Sequence, residues 1–70
     1  MTLHEAMKIV LREVSRPMTT KELADAINRK GLYHRKDRHP VPSGQIGARA
    51  NNYQGLFLKI PGPPMLIKLR

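Results

Sequence analysis

Apolar residues near the start of the chain recur every three or four positions, as they do along one side of an α-helix. The stripe comprises Leu3, Ala6, Met7, Val10, Leu11 and Val14. Thr2 and Glu5 precede it with the spacing of a capping box, in which each side chain bonds a free backbone amide of the other residue. The pattern predicts a first helix that begins after Thr2 and ends before Pro17, because proline cannot donate to a helix ladder.

A second helix is predicted after residues 15–18, which we interpret as a turn with room for one short strand. Thr19 and Glu22 repeat the capping-box spacing. The apolar edge that follows consists of Leu23, Ala26 and Ile27. Gly31 provides the stop signal, since glycine readily adopts the left-handed conformation that ends a helix. Leu32 then stands where a Schellman cap places its apolar contact.

A third helix is expected from Pro42 or Ser43 to about Asn52, because both starting residues suit a first helical turn. Its helix propensity is poor. Gly44 and Gly47 each cost up to about 1 kcal/mol relative to alanine in a helix interior, so tertiary packing must hold this segment. The packing residues expected are Ile46, Ala50 and Tyr53.

The last segment predicts a β-hairpin with strands at residues 57–60 and 65–69, joined by a Pro-Gly-Pro-Pro turn. Three helices followed by a hairpin predict the α+β class, specifically a winged helix-turn-helix with the C-terminal β-hairpin as its wing. At 70 residues the chain has room for one core, so we expect a single domain over residues 1–70. Its start and end suggest the N-terminal domain of a longer protein.

Charge is distributed unevenly between the two parts of the chain. Residues 1–28 hold four basic and four acidic residues, whereas residues 29–70 hold nine basic residues against Asp37 alone, which accounts for the net charge of +8. Much of the excess lies in residues 34–42, a stretch with two prolines and no apolar period that we predict to be a loop. Such asymmetry indicates a polyanionic partner.

Double-stranded DNA is the partner that the predicted third helix favours. With its packing residues turned inward, its candidate groove and base contacts are Ser43, Gln45, Ala48, Arg49 and Asn52. Gln and Asn can bond an adenine edge, Ala can meet a thymine methyl, and Arg can reach guanine or phosphate. Each residue also has a purely structural alternative: Asn52 as the helix terminus, Arg49 paired with an acid on helix one or two, and Gln45 solvated.

Four further basic residues are candidates for contacts with DNA phosphates. They are Arg35, Lys36 and Arg38 in the predicted loop, and Lys59 in the first strand of the hairpin. Lysine and arginine at phosphates release counterions and position the protein without reading sequence.

Several other function classes are disfavoured. The chain has no cysteine, and its three histidines lack zinc-ligand spacing, so we expect no metal and no cofactor. No nucleophile has an evident base, which argues against an enzyme, catalytic residues or a small-molecule substrate. Tyr33, Tyr53 and Phe57 stand at element ends, where they complete a core more readily than they stack on single-stranded bases.

The sequence also gives no sign of a membrane partner. No segment resembles a signal peptide or a membrane span, and the basic residues lie mainly in a polar loop instead of an amphipathic helix. We therefore expect a cytoplasmic protein, one associated with the nucleoid if the source is bacterial.

Four segments carry a family resemblance that spans nearly the whole chain. They are Leu3-x-x-Ala-Met-x-x-Val-Leu11, Arg16-Pro-Met-Thr-Thr-Lys-Glu-Leu-Ala-Asp-Ala-Ile27, Gly31-Leu-Tyr33, and Gln45-Ile-x-Ala-Arg49-x-Asn-Asn-Tyr53 followed by Leu56-Phe57. The chain resembles the HARE-HTH domains, winged helix-turn-helix modules of restriction endonucleases, Asx-like Polycomb proteins and the RNA polymerase delta subunit. The resemblance implies a DNA-binding module that links an effector or regulator to DNA, in transcription regulation or restriction-modification, with Arg49 as the basic residue of its third helix.

A second functional class stays open beside DNA binding. The delta-subunit relatives imply that this fold can instead be a protein-interaction module, one that docks on RNA polymerase or on a chromatin or restriction partner. The predicted wing tip, residues 61–64, carries no charge, so a basic wing inserted into a DNA groove is not expected. The charge distribution nevertheless favours DNA.

Overall fold

The computed structural model describes all 70 residues. Three helices, α1 (Leu3–Val14), α2 (Thr20–Lys30) and α3 (Ser43–Asn52), alternate with three short strands, β1 (Met18–Thr19), β2 (Phe57–Ile60) and β3 (Leu66–Leu69). The strands form one antiparallel sheet in the order β1-β3-β2. The hairpin of β2 and β3 follows α3, so the predicted α+β winged helix-turn-helix is confirmed.

The first two helices begin as their sequences predict. In α1, the Thr2 side chain accepts from the Glu5 amide while the Glu5 carboxylate accepts from the Thr2 amide at 2.9 Å. Thr19 and Glu22 form the same reciprocal pair at the start of α2. In each case the donated backbone hydrogen bond lowers the pKa of the glutamate carboxyl group.

Both of these helices also end in left-handed caps. Ser15 has φ of 60° and its amide donates to Leu11, whereas Gly31 has φ of 64°. The amide of Leu32 donates to the carbonyl of Ile27, which confirms the Schellman cap expected after α2. These caps fix the directions in which the chain leaves the α1–α2 pair.

The core is entirely apolar and draws on every helix and strand. Its 15 buried residues include no polar or charged side chain. The seven largest fully buried side chains are Leu3, Met7, Val10, Leu23, Ile27, Ile46 and Ile67. Phe57 of the wing is also buried, as expected, and Tyr33 packs against the core while half-buried.

Two residues expected in the core lie outside it. Val14 is 38% exposed, because α1 ends there and the chain turns away through Ser15. Tyr53 is 37% exposed, because α3 ends at Asn52 and the non-helical backbone of Tyr53 (φ −128°, ψ 52°) takes its side chain off the helical stripe. Its ring stacks on His4 instead, with ring centroids 4.0 Å apart.

The wing is tied to the rest of the domain through its second strand. Ile67 of β3 pairs with Met18 of β1 on one side and with Lys59 of β2 on the other. The short strand that the sequence allowed between the first two helices is thus β1, and it makes β3 the central strand. As predicted, the tip that joins β2 to β3 carries no charge.

Candidate nucleic-acid interface

The outer face of α3 forms the centre of the candidate interface. Ile46 and Ala50 point into the core, and the opposite side of the helix, at 3.6 residues per turn, carries Gly44, Ala48 and Asn52. Exposed Asn51 lies beside them. We call the surface formed by Gly44, Ala48, Asn51 and Asn52 the outer strip of α3.

The predicted groove residues lie on this surface to different degrees. Ala48 and Asn52 belong to the outer strip, and Ser43 is exposed at the first position of the helix. Gln45 and Arg49 are half-buried on one flank. Gly44 and Asn51 were not among the predicted contacts, although the same helical period that selects Ala48 places them on the strip.

The polar side chains of α3 have no partners within the protein. Arg49 forms no ion pair, unlike the structural alternative considered from sequence. The side-chain amides of Gln45, Asn51 and Asn52 make no intramolecular hydrogen bond. These groups are therefore free to bond an external partner, whether base edges, phosphates or another protein.

The flank of α3 opposite Arg49 packs against the start of α2. A Cβ atom built on Gly47 would lie 3.9 Å from Cγ2 of Thr20, which is an ordinary van der Waals distance. Gly47 therefore lies at the α2–α3 seam, whereas a Cβ on Gly44 would meet nothing within 4 Å. The two glycines of α3 thus have different surroundings: one faces a neighbouring helix and the other faces solvent.

A side chain that sequence reasoning missed positions the start of α3. Asn28, on α2, accepts a hydrogen bond from the Val41 amide at 2.9 Å and donates one to the Val41 carbonyl at 3.1 Å. Val41 is also buried in the core. This pair of bonds to the backbone fixes the end of the loop one residue before Pro42, the N-cap of α3. No sequence pattern marks Asn28, because its partner is thirteen residues away.

Three of the predicted phosphate contacts lie together before α3. Arg35, Lys36 and Arg38 line one open concavity of about 490 Å³ with His34 and His39. Arg35 is partly neutralised, since its guanidinium lies 3.1 Å from the Asp37 carboxylate. Lys36 and Arg38 are exposed and form no ion pair.

The fourth predicted phosphate contact lies at the opposite end of α3. Lys59 is half-buried on the face of β2 that also carries Phe57, and it lines a depression together with Asn51 and Arg70. Arg70 is a residue that sequence reasoning missed. Its backbone amide donates to the Leu56 carbonyl at 3.1 Å, and its side chain also bonds the backbone just after α3.

Charges in the α1–α2 part of the fold are used internally. Arg16 lies 3.3 Å from Glu22, and Lys30 of α2 lies 3.1 Å from Glu13 of α1. In the remainder of the chain, Arg35 is the basic residue that has an acidic partner. The unpaired positive charge is therefore concentrated around α3 and the wing, where it can act on an external polyanion.

Other ligand classes find little in the structure. No three His, Asp or Glu side chains are grouped so that they could hold a metal ion. No helix is long and apolar enough to cross a membrane.

Known proteins provide a further comparison for the sequence. Residues 1–67 match the model of the HARE-HTH family, described as a helix-turn-helix domain of ASXL proteins and restriction endonucleases. No curated protein and no solved structure matches the chain.

Proposed function

Because the chain belongs to the HARE-HTH family of winged helix-turn-helix domains, which are generally DNA-binding modules, we propose that it binds double-stranded DNA through α3. In this proposal α3 lies in the major groove, with Ser43, Gln45, Ala48, Arg49 and Asn52 at base edges or groove walls. The domain has no catalytic role of its own and links an effector or regulator to DNA.

The observation that carries the proposal is the outer strip of α3 with its unpaired polar flank. A 10-residue helix is about 15 Å long, and the major groove, about 12 Å wide, admits a helix. Gly44 and Ala48 give the strip little bulk, so base edges could approach the backbone closely. The free amides of Asn51 and Asn52 suit the donor and acceptor pattern of an adenine edge.

Basic residues at both ends of α3 support the same orientation. Lys36 and Arg38 precede the helix, and Lys59 and Arg70 flank its far end. A helix that enters the major groove has a phosphate strand on each side, so cations at both ends can contact the two strands. Arg35 contributes less than its neighbours, because Asp37 already holds it.

One observation favours a second function, docking on a protein such as RNA polymerase or a chromatin partner. Leu58 is 37% exposed on the outer face of β2, next to half-buried Ile60. The neighbouring strand adds half-buried Leu66 to the same face, because it pairs with Ile60. A protein partner would cover this apolar face and leave α3 free.

Titration of ¹⁵N-labelled protein with a short random duplex separates the two functions. We expect weak binding with little sequence preference, in the range of about 10⁻⁴ to 10⁻⁶ M at physiological salt, because one small domain makes few contacts. Amide shifts should centre on residues 43–52 and weaken steeply between about 50 and 200 mM salt. Shifts confined to residues 57–69, or affinity that ignores salt, would contradict DNA binding through α3.

Charge substitutions then test the individual roles. Arg49→Ala should cost about 1 to 3 kcal/mol of binding if the guanidinium meets a base edge. Joint neutralisation of Arg35, Lys36 and Arg38 should weaken binding to all duplexes alike, and should reduce the salt slope by about 0.9 for each phosphate that the variant no longer neutralises. Folding, checked by thermal melting, should be unchanged.

Lys8→Gln and Arg12→Gln provide the matched controls, because both residues lie on α1 and form no ion pair. Each control removes one positive charge, as Arg49→Ala does. If the controls weaken binding as much as Arg49→Ala, attraction is a property of net charge and the assignment of α3 is wrong.

A further inference from the structure

The basic loop before α3 encloses a defined concavity. Its lining comes from Tyr33 to Pro40 together with Asn28 of α2, and its volume is about 490 Å³. That volume lies within the size range of small-ligand sites, about 300 to 1,000 Å³. Ligand sites of that size are usually lined by apolar side chains, whereas this one is lined mainly by cationic and polar groups. The lining therefore favours a compact anion over an apolar ligand.

The backbone around the concavity is held at several points. The Schellman cap at Gly31 and Leu32 fixes its beginning, and the paired hydrogen bonds of Asn28 to Val41 fix its end. Between these anchors, the Arg38 amide donates to the Arg35 carbonyl at 3.1 Å and closes a tight turn. A site whose backbone is fixed in advance loses less conformational entropy when a ligand binds.

One acid shapes the site. The Asp37 carboxylate accepts from the His39 amide at 3.0 Å and lies 3.1 Å from the Arg35 guanidinium. It neutralises Arg35 and holds the turn. Lys36 and Arg38 therefore remain as unpaired cations on the lining, with the imidazoles of His34 and His39 beside them.

Arg38 occupies a backbone conformation that suits glycine better. Its φ is 64°, in the left-handed region, which is unfavourable for a residue with a Cβ atom. Residues held in such conformations are found preferentially at ligand sites, where the surrounding structure imposes them. The guanidinium of Arg38 is thus placed on the lining at a conformational cost.

We infer that this concavity is a phosphate-binding site, in which Lys36 and Arg38 with His34 and His39 take up one phosphate group. The inference rests on the proposed function, since DNA is the natural source of that group. Two sources share the chemistry: an internal phosphodiester of the duplex backbone and a phosphomonoester at a strand end. Either source presents anionic oxygens to the same four side chains.

Inorganic phosphate is the probe that tests the site without DNA. In NMR titrations at constant ionic strength, with chloride replaced by phosphate, saturable amide shifts are expected over residues 33–41. Arg38→Gly should weaken phosphate binding about tenfold, because the variant lacks one charge-assisted hydrogen bond. The variant should melt no lower than the parent, since glycine adopts the left-handed conformation without a Cβ penalty.

Two controls match the two changes that Arg38→Gly makes. Ser15→Gly relieves the other left-handed non-glycine residue, at the end of α1, and removes no charge. Arg12→Gln removes one positive charge that does not line the concavity. Both should bind phosphate as the parent does. Equal losses in Arg12→Gln and Arg38→Gly, or shifts spread over all basic residues, would overturn the inference.

Sulfate at about pH 6 and about pH 8 tests the imidazoles, because histidine is the side chain that gains a proton over this range. The charged groups that face them are Arg35, Lys36, Arg38 and Asp37, and no other acid lines the site. Added positive charge should strengthen sulfate binding at the lower pH. Equal affinity at the two values would remove His34 and His39 from the site.

Duplexes with phosphorylated or unphosphorylated 5′ ends then identify the source. A preference for the phosphorylated ends that disappears in Arg38→Gly assigns a terminal monoester. Equal binding, weakened alike in Arg38→Gly, assigns a backbone diester. If phosphate fails to bind while the duplex still shifts residues 43–52, only the site is refuted. If phosphate binds and the duplex does not, the proposed DNA-binding function fails instead.

Discussion

The α1–α2 pair and α3 are built to different standards, although each is a helix of similar length. Both α1 and α2 begin with a complete capping box and end in a left-handed cap. By contrast, α3 begins at Pro42 with no side-chain cap, contains two glycines and buries only Ile46 and Ala50. The first pair is stabilised locally, whereas α3 depends on its neighbours.

The same division holds for charge. Acids of α1 and α2 take up nearby cations, whereas most cations of the other part have no acidic partner. Exposed surface that is both poorly helix-forming and unpaired is what a binding helix needs, because bulk and internal partners would compete with a ligand. One small domain thus contains both a scaffold, the α1–α2 pair, and a recognition element, α3.

The largest expected effect tests the dependence of α3 on its neighbours. Ile46 and Phe57 are buried where α3 and the wing meet the core, so Ile46→Ala and Phe57→Ala should each lower the free energy of unfolding by about 2 to 5 kcal/mol. Thermal or denaturant melts measure the loss. Leu58→Ala is the control on the same strand, because Leu58 faces outward. Near-parental melting of either core variant would contradict this packing of α3 and the wing.

A smaller loss is expected where the loop is tied to α2. Asn28→Ala removes both hydrogen bonds to Val41 and leaves a part-buried backbone amide and carbonyl unpaired, at a cost of about 1 to 3 kcal/mol. Amide hydrogen exchange across residues 34–41 should also accelerate. Asn51→Ala is the matched control, since that exposed side chain has no bond to lose. Unchanged exchange in Asn28→Ala would mean that the loop is held by Val41 burial alone.

Local signals explain which parts of the fold could be predicted from the sequence. Capping boxes, glycine stops and apolar periods depend on residues within one or two turns, and α1, α2 and the hairpin are therefore predicted closely. The prediction for Tyr53 is wrong for the opposite reason: the period of α3 says nothing about the residue where the helix stops.

The candidate site was only partly predictable, because much of it depends on long-range contacts. The period of α3 selected Ala48 and Asn52 correctly as exposed residues. Asn28 and Arg70 carry no sequence signal, since their partners are brought close only by the folded chain. Composition identified the basic loop, but not that Asp37 neutralises Arg35 within it. Contact of the predicted side chains with DNA stays a prediction.

Acid should weaken the scaffold through its capping boxes. The backbone hydrogen bonds from Thr2 and Thr19 lower the pKa of Glu5 and Glu22 in the folded state, so they stabilise the fold above the ordinary glutamate pKa of about 4.3. That contribution is lost as pH falls through the lowered values. Glu5→Gln with Glu22→Gln keeps the capping acceptors and removes both titrations. Its melting temperature should therefore fall less between about pH 6 and 3 than that of the parent; parallel curves would contradict this origin.

The smallest effect distinguishes the two glycines of α3 and sharpens the division between scaffold and recognition element. Gly44→Ala and Gly47→Ala should each stabilise the helix by up to about 1 kcal/mol, because alanine is the better helix former and neither new methyl group clashes. Their effects on DNA should differ. The methyl group at Gly44 stands on the outer strip, where it would hold base edges away, whereas the one at Gly47 meets Thr20 inside the α2–α3 seam. Melting curves with duplex titrations should therefore show both variants more stable and only Gly44→Ala weaker in binding. If both variants bind duplex like the parent, the outer strip of α3 does not approach DNA.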